Sequence, residues 1–576
     1  MRKLFKYFRP ELFIATLGII FVGGSAFIEL YQIRLMAGII DIGIANADFS
    51  IIFNIGLKMI GLALLGLFFG IVGLIFPSQA SNNFALRLRK EVFTKIQTYS
   101  IKNMSEFKTS SLVTRLTNDV NFLQRTVMMS LRMLVRAPVF LISTVYLTYL
   151  TSPELSLVMF AAVFALSIVF FWVIKQGFPR FMKLQDQVDK MNRKIQESLM
   201  NIRVIKSFVR EEDENETFKK ENEDLYKVSV HANILMTIMS PALMAAINLA
   251  TIVVVYLSGH LIVRLQLIQI GDLLVFVNYL RFTMFSMMMI TYVLMMLSRS
   301  KASVVRINKI LDTDADITSL EETKNIVQPK GHIKFENVSF KYYADAENVL
   351  SNISFEVTPG QRIGIIGSTG SGKSTLINLL ARLIDVTEGR ILFDGTDIRN
   401  IEMKELRSQF GFVPQHNVLF SGTVAENLRL GDKDAPLETL VKATKAADIY
   451  NYLKEEPKQF ETIVQQGGSN FSGGQKQRLC IARALAINPK VLILDDSTSA
   501  LDAATEQRVK ESLQKQYSDI TIINVAQKIS SVIDSDRILV IDEGKIVGQG
   551  THNELIRTCH VYQEIYDSQM EKGGLE

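Results

Sequence analysis

Along the first half of the chain the apolar positions gather into six long blocks, near 12–36, 55–76, 131–150, 155–174, 234–263 and 270–298, with polar segments of very unequal length between them. A helix needs ~20 predominantly apolar residues to cross the hydrocarbon of a bilayer, so the pattern predicts six membrane spans. Two of the blocks contain prolines, Pro138 and Pro241, which lipid-buried helices tolerate where neighbours re-satisfy the freed carbonyls. Ahead of the first block, Leu4, Phe5 and Phe8 interleave with Lys3, Lys6 and Arg9. This reads as a short interfacial helix, and no small-residue cleavage site of a signal peptide follows it.

The polar segments differ in charge as well as length. Residues 77–130 carry Arg87, Arg89, Lys90, Lys95, Lys102, Lys108, Arg115 and Arg125, and 175–233 is richer still. By contrast 37–54 and 151–154 have no lysine or arginine, and 264–269 has only Arg264. Basic residues stay on the cytoplasmic side, so the two long segments and both termini are expected there. Phe84, Leu88 and Val92, and again Ile195, Leu199 and Ile202, recur at helical spacing. The long segments therefore read as cytoplasmic extensions of the membrane helices, turning near 104–112 and 202–208.

The helical pattern of the last block runs on to about residue 311. A polar stretch at 312–330 reads as a linker, and from about 331 to 576 the period changes. Short β-branched runs at 362–367, 491–495 and 520–526 alternate there with helical stretches, which indicates an α/β domain with a mainly parallel sheet. Composition agrees with two unlike parts. A chain of 576 residues exceeds the roughly 300 at which one core stops growing. A mean hydropathy of +0.20 beside 21% charged residues is what a membrane half and a soluble half average to. The net charge of +5 is small and its basic excess lies near the apolar blocks, so nucleic acid is not an expected partner. Cys480 and Cys559 both fall in the soluble half, suit a reducing compartment and show no metal spacing.

The soluble half carries the chemistry. Gly367, Ser368, Thr369, Gly370, Ser371, Gly372, Lys373 and Ser374, followed by Thr375, fit the P-loop pattern directly after the apolar strand 363–366. Its glycines let backbone N–H groups wrap a phosphate at the positive end of the next helix. Lys373 is placed to reach the outer phosphates, and Ser374 to ligate Mg²⁺. The run Val491-Leu-Ile-Leu-Asp495 is an apolar strand ending in an acid, as a Walker B magnesium site requires.

Further motifs resemble those of ABC transporters. Phe471-Ser472-Gly473-Gly474-Gln475-Lys-Gln-Arg478 is similar to the ABC signature and opens a helix. Tyr342 resembles the adenine-stacking A-loop aromatic, Gln415 in Val413-Pro-Gln415 the Q-loop glutamine, and Ser499-Ala-Leu-Asp502 the D-loop. Six spans followed by one cassette resemble an exporter half-transporter. The implied architecture is a membrane α-helical bundle with long cytoplasmic extensions (1–311) joined through 312–330 to an α/β P-loop ABC ATPase domain (331–576). The resemblance implies ATP and Mg²⁺ as ligands, with Ser374, Gln415 and Asp495 around the metal. It also implies that two cassettes close head to tail, so that Ser472, Gly473, Gly474 and Gln475 act on the nucleotide of another subunit. The turns near 104–112 and 202–208 resemble the family's coupling helices.

Three positions depart from the family. Asp496 stands where a catalytic glutamate is usual, and Gln527 where a histidine contacts the γ-phosphate. A misplacement of about 1 Å in a catalytic group can cost on the order of a hundredfold in rate, and glutamine lacks the charge of an imidazolium. Gln466 replaces a usual glutamate near the membrane loops. With Asp496, Gln527 and Gln415 as the catalytic set, this chain's Walker site is expected to bind ATP but turn it over slowly, although Asp496 remains a carboxylate and can act as a slow base. An intact signature beside a weakened site resembles the degenerate-site subunit of a bacterial heterodimeric exporter. A second half-transporter would then supply the competent machinery, in the cell membrane with the cassettes in the cytoplasm.

The methionines between Met284 and Met296 suit either lipid-facing and interhelical packing or a surface for varied apolar ligands, and the latter would take a small amphipathic or hydrophobic molecule. Glu29, Arg34, Arg136 and Arg281 lie in or beside spans, where charge usually faces a cavity or a partner. An ATP-gated channel and an importer on the same fold are the competing readings.

Overall fold

The computed structural model describes residues 2–573 except 152, 264–267, 318–325, 327, 344 and 498–500. Arg264, Ser499 and part of the 312–330 linker thus lie outside the described residues. The chain divides into two units, Met1–Gln97 with Ser110–Thr313, and Thr98–Thr109 with Asp314–Glu576.

The first unit is built on long helices, Leu12–Gly38, Phe49–Gln97, Val120–Thr151, Pro153–Met200, Glu211–Val263 and Ile270–Asp312. Four apolar helical stretches, Lys3–Ile44, Phe49–Gln97, Thr109–Thr151 and Ile270–Asp312, are long and apolar enough to cross a membrane. The helices of 48 and 53 residues, Pro153–Met200 and Glu211–Val263, contain the remaining blocks at 155–174 and 234–263. At 1.5 Å per residue these two reach about 72 to 80 Å, more than twice the ~30 Å of a hydrocarbon core. Each therefore continues well beyond any lipid it crosses.

The helix Phe49–Gln97 shows this change of surroundings along one element. Phe53, Leu57, Ile60, Leu64, Leu67, Phe68 and Ile71 are exposed, whereas beyond Pro77 it buries Ala80, Phe84, Leu88 and Val92 against protein. A surface of exposed leucine and phenylalanine is costly in water and neutral in lipid.

Polar side chains join these helices. Glu29 and Arg136 form an ion pair between the first and third long helices, and the Arg136 guanidinium sits 5.1 Å from the centre of the Phe140 ring. Beside Pro138, which lies inside the third long helix, Ser286 Oγ donates to the Ala137 carbonyl at 2.6 Å, and Thr144 and Thr283 hydroxyls meet at 3.3 Å. Asp119 ends a π-helical turn, Arg115–Asp119, and is buried against Ser303 (2.8 Å) and the Arg306 guanidinium of the last helix. Buried Glu11 is satisfied by Arg87 at 2.7 Å and Asn83 at 3.0 Å. A buried carboxylate without such partners would be strongly destabilising.

The second unit is the α/β domain together with the short helix Ile101–Glu106. Ser100 caps that helix through Asn103 N–H at 3.1 Å, and its hydroxyl also reaches the Asp316 carboxylate at 3.1 Å. Asn103, almost fully buried, donates to the Asp314 carbonyl and accepts from the Asp316 N–H, both at 3.2 Å. These bonds place residues 98–109 with the chain that follows Thr313.

Strands β1 (Ile333–Phe340), β2 (Leu350–Val357), β3 (Arg362–Ile366), β4 (Glu388–Phe393), β5 (Thr396–Asp397) and β6 (Phe410–Val413) come first. They are followed by β7 (Gly422–Thr423), β8 (Ile463–Val464), β9 (Val491–Asp495), β10 (Thr521–Val525), β11 (Arg537–Asp542) and β12 (Lys545–Gly550). The main sheet runs β12-β11-β3-β10-β9-β6, parallel except at its β12 edge. Every residue of β9 is buried, as expected of a strand covered on both faces. A second, antiparallel sheet, β2-β1-β4-β5, stands beside it, and β7 pairs with β8. One cluster, including Phe335, Ile353, Ile365, Leu376 and Ile493, links the antiparallel sheet to the parallel one. A second, including Leu440, Ala443, Phe471, Leu479 and Leu485, supports the helical part.

Candidate functional site

Strand β3 delivers the chain to Gly367 at the carboxyl end of the parallel sheet, where open α/β sheets bind ligands. Two glycines there have no substitute. A Cβ on Gly367 would run into the Ile541 carbonyl, and Gly372 has φ of +102° with Leu350 Cδ2 only 2.7 Å from where a Cβ would be. The helix Lys373–Leu380 then begins, so its unpaired N–H groups face the loop. Lys373 Nζ curls back to donate to the carbonyls of Gly367 at 2.9 Å and Ser368 at 2.6 Å. Tyr342 is half-buried, its ring 4.9 Å from Phe340 in a T-shaped contact and its hydroxyl 3.2 Å from Thr375 Oγ1.

The register of the sheet brings the remaining groups together. Because β9 and β10 are parallel with Asp495 opposite Val525, the residues that follow each strand emerge side by side. Asp496 turns with φ of +48°, and its N–H donates to the Val525 carbonyl at 2.8 Å. Its carboxylate accepts from the Gln415 side chain and from the backbone N–H of Gln527. Lys373, Ser374, Gln415, Asp495, Asp496 and Gln527 all line one cavity of about 190 Å³.

The charges in this cavity are strained in a useful direction. Burial pushes the Asp495 carboxyl above the usual range; the Ser374 hydrogen bond draws it back and neighbouring Asp496 adds to the rise. Burial likewise raises Asp496, against the hydrogen bond from Gln415. Burial lowers Lys373, and both carboxylates oppose that. A buried carboxylate and a half-buried one thus share the cavity with one lysine. A divalent cation would relieve their repulsion, and the hydroxyl, amide and carboxylate oxygens of Ser374, Gln415 and Asp495 are the hard ligands that Mg²⁺ takes together with phosphate. The residues fit that ion and a polyphosphate.

The signature lies elsewhere. Ser472 caps the helix Gly473–Ala486 in a reciprocal box with Gln475, at 2.8 Å and 3.3 Å. None of Ser472, Gly473, Gly474 and Gln475 lines the cavity. Asp502 caps the helix Ala503–Gln516 through Thr505 N–H at 2.9 Å and Thr505 Oγ1 at 2.8 Å. The D-loop serine, Ser499, falls outside the described residues. Gln466 is exposed in the turn Gln466–Gly468. Sequence reasoning missed Gln569, whose side chain touches the backbone on both sides of Lys528; it belongs to no motif and lies more than 40 residues further along the chain.

Known proteins share this arrangement. Residues 13–288 match the ABC transporter transmembrane region and residues 350–499 the ABC transporter family proper. An uncharacterised ABC transporter ATP-binding protein of Bacillus subtilis, YfiB, is 35% identical over 576 residues and covers all of both chains. The chain belongs to the ABC transporters. A second Bacillus subtilis protein of this kind, YfiC, is 30% identical over 99% of this transporter and 94% of its own length. A solved bacterial Atm1-family ABC exporter with ATP bound superimposes with a TM-score of 0.78 at 25% identity, over 97% of this chain and 98% of that one. The transporter therefore has the exporter fold of a half-transporter, a helical membrane region and an ATPase domain that binds ATP and couples its hydrolysis to transport.

Proposed function

We propose that this transporter is one half of a heterodimeric exporter, that its own Walker site holds ATP–Mg²⁺ and turns it over slowly, and that its signature completes the partner's competent site. The observation that carries this reading is the state of Asp496. Its carboxylate is one methylene shorter than glutamate and is engaged by Gln415 and by the Gln527 backbone, with no imidazole from Gln527 to hold the γ-phosphate. Around this site Tyr342 stacks the adenine, the loop 367–375 wraps the phosphates and Lys373 neutralises them. Ser374, Gln415 and Asp495 would hold Mg²⁺, which when bound offsets the charge spread over the transferred phosphoryl group. Nucleotide-dependent closure passes through the turns near 104–112 and 202–208, which the short helices Ile101–Glu106 and Ile202–Ser207 occupy, and switches the bundle from inward to outward opening.

Two experiments test this. Purified alone, the chain should hydrolyse ATP slowly; in the assembled pair Asp496→Ala should lower turnover only modestly, and removing the partner's equivalent carboxylate should nearly abolish it. A homodimer with brisk, substrate-stimulated ATPase would sink the proposal. For topology, we place six spans in the cell membrane with both termini, 77–130 and 175–233 in the cytoplasm. An impermeant thiol reagent outside intact cells should modify Asp48→Cys and spare Lys108→Cys, and the reverse pattern would overturn the orientation. The substrate class is a small amphipathic or hydrophobic molecule, on the strength of the methionines in Ile270–Asp312.

A further inference from the structure

The C-terminal helix His560–Gly573 packs on the short helix Ile529–Val532, which follows the segment 526–528 around Gln527 (the switch segment), with Tyr562, Ile529 and Val532 in one buried cluster. From it, Gln569 Nε2 donates to the Gln527 carbonyl at 2.8 Å, and Gln569 Oε1 accepts from the Ile529 N–H at 2.9 Å. A single amide therefore satisfies backbone groups on both sides of Lys528. Upstream, Ala526 is fixed to the main sheet by its N–H to the Ile365 carbonyl at 3.1 Å. Inward, the Gln527 N–H meets the Asp496 carboxylate. Gln527 is exposed, so it has no packing of its own to hold it.

We propose that Gln569 is a positioning residue for nucleotide handling, clamping the switch segment so that the Gln527 backbone stays against Asp496 and the C-terminal helix is tied to the ATP site. Gln527 lines the cavity, its N–H meets Asp496 and its carbonyl meets Gln569, so a displacement on either side of the residue moves the other. The clamp needs the donor of Gln569 as well as its bulk. That separates it from an ordinary packing contact or from a simple cap on Ile529–Val532, for which the acceptor oxygen is sufficient.

The inference rests on the cavity being the ATP site, and the experiment separates the two. Full-length chain in lipid nanodiscs is loaded with a fluorescent ATP analogue and Mg²⁺. Its release rate is then measured alongside hydrogen exchange of residues 525–532. Gln569→Glu keeps the shape and the acceptor for Ile529 but turns an oxygen toward the Gln527 carbonyl, whereas Gln569→Ala removes both bonds. Both should release nucleotide about fivefold to tenfold faster, as the loss of one hydrogen bond of ordinary strength predicts. Exchange at Ile529 should rise only in the alanine variant, and Gln563→Ala, exposed on the same helix, should match the parent. Parental release in Gln569→Glu would overturn the clamp. Nucleotide binding that survives Lys373→Ala would overturn the ATP-site reading and the clamp with it.

Discussion

The cassette presents two helix N-termini suited to phosphate, and they differ in how much of a site surrounds each. The helix Lys373–Leu380 opens into a half-open cavity lined by a lysine, two carboxylates and two glutamines, where Asp496 already accepts from the Gln415 side chain and the Gln527 backbone. The helix Gly473–Ala486 opens outward, capped only by its own Ser472 and Gln475, and a Cβ on Gly473 would meet nothing within 4 Å. On the proposed reading, one is a pocket whose binding parts are complete and whose catalytic parts are altered. The other, on the same reading, completes a site on a partner, and none of its residues lines this chain's own cavity. That reading distributes binding and catalysis unequally between two surfaces of one fold.

The largest expected effect tests this contrast directly. Lys373→Ala should weaken ATP binding by the isolated chain roughly a hundredfold, since charge-assisted contacts to a buried anion are the strong ones. Gly473→Asp should leave that binding within about twofold, because an acid suits the first turn of a helix. In the assembled pair, however, it should cut turnover roughly thirtyfold by setting a negative charge against the partner's nucleotide. Isothermal titration and steady-state ATPase assays read the two halves; equal damage to binding from both variants would erase the distinction.

A smaller effect sharpens it. Asp496→Glu combined with Gln527→His should raise turnover at this chain's own site about tenfold with little change in KM for ATP, since the change touches the water-orienting groups and not the cradle. No gain in kcat would remove these two positions as the cause of the proposed slow turnover. Smallest is Tyr342→Ala, which should weaken ATP about fivefold through lost stacking and leave kcat nearly unchanged. A competition assay with ADP and inorganic triphosphate checks it, because triphosphate affinity should not respond.

The parts legible in the sequence were those with local causes. A glycine loop between an apolar strand and a helix, or an apolar strand ending in Asp495, states its own geometry, and β3, β9 and the P-loop helix follow it. The antiparallel sheet was not legible. The β1 and β4 strands that pair, Ile333 with Phe393 for example, are non-local, and their register is broken by irregularities that blur alternation. Glu29 and Arg136 were singled out as charged residues needing partners, but their pairing depends on how two helices 107 residues apart in sequence lie against each other. The union of Gln415, Asp496 and Gln527 was expected from resemblance, whereas the hydrogen bonds among them depend on the β9–β10 register. Gln569 had neither a motif nor periodicity to mark it.

The small knot of Ser100, Asn103, Asp314 and Asp316 has a consequence for how such proteins can be recombined. A graft that joins the cassette of one transporter to the membrane region of another at residue 314 parts both aspartates from the loop they hold, which stays with the old owner. The seam that preserves every bond in the knot runs through two places at once: residues 98–109 must travel with 314–576. Shuffling at a single crossover breaks what is continuous in space but divided in the gene, so inheritance of a working cassette depends on a dozen residues encoded some two hundred codons before it.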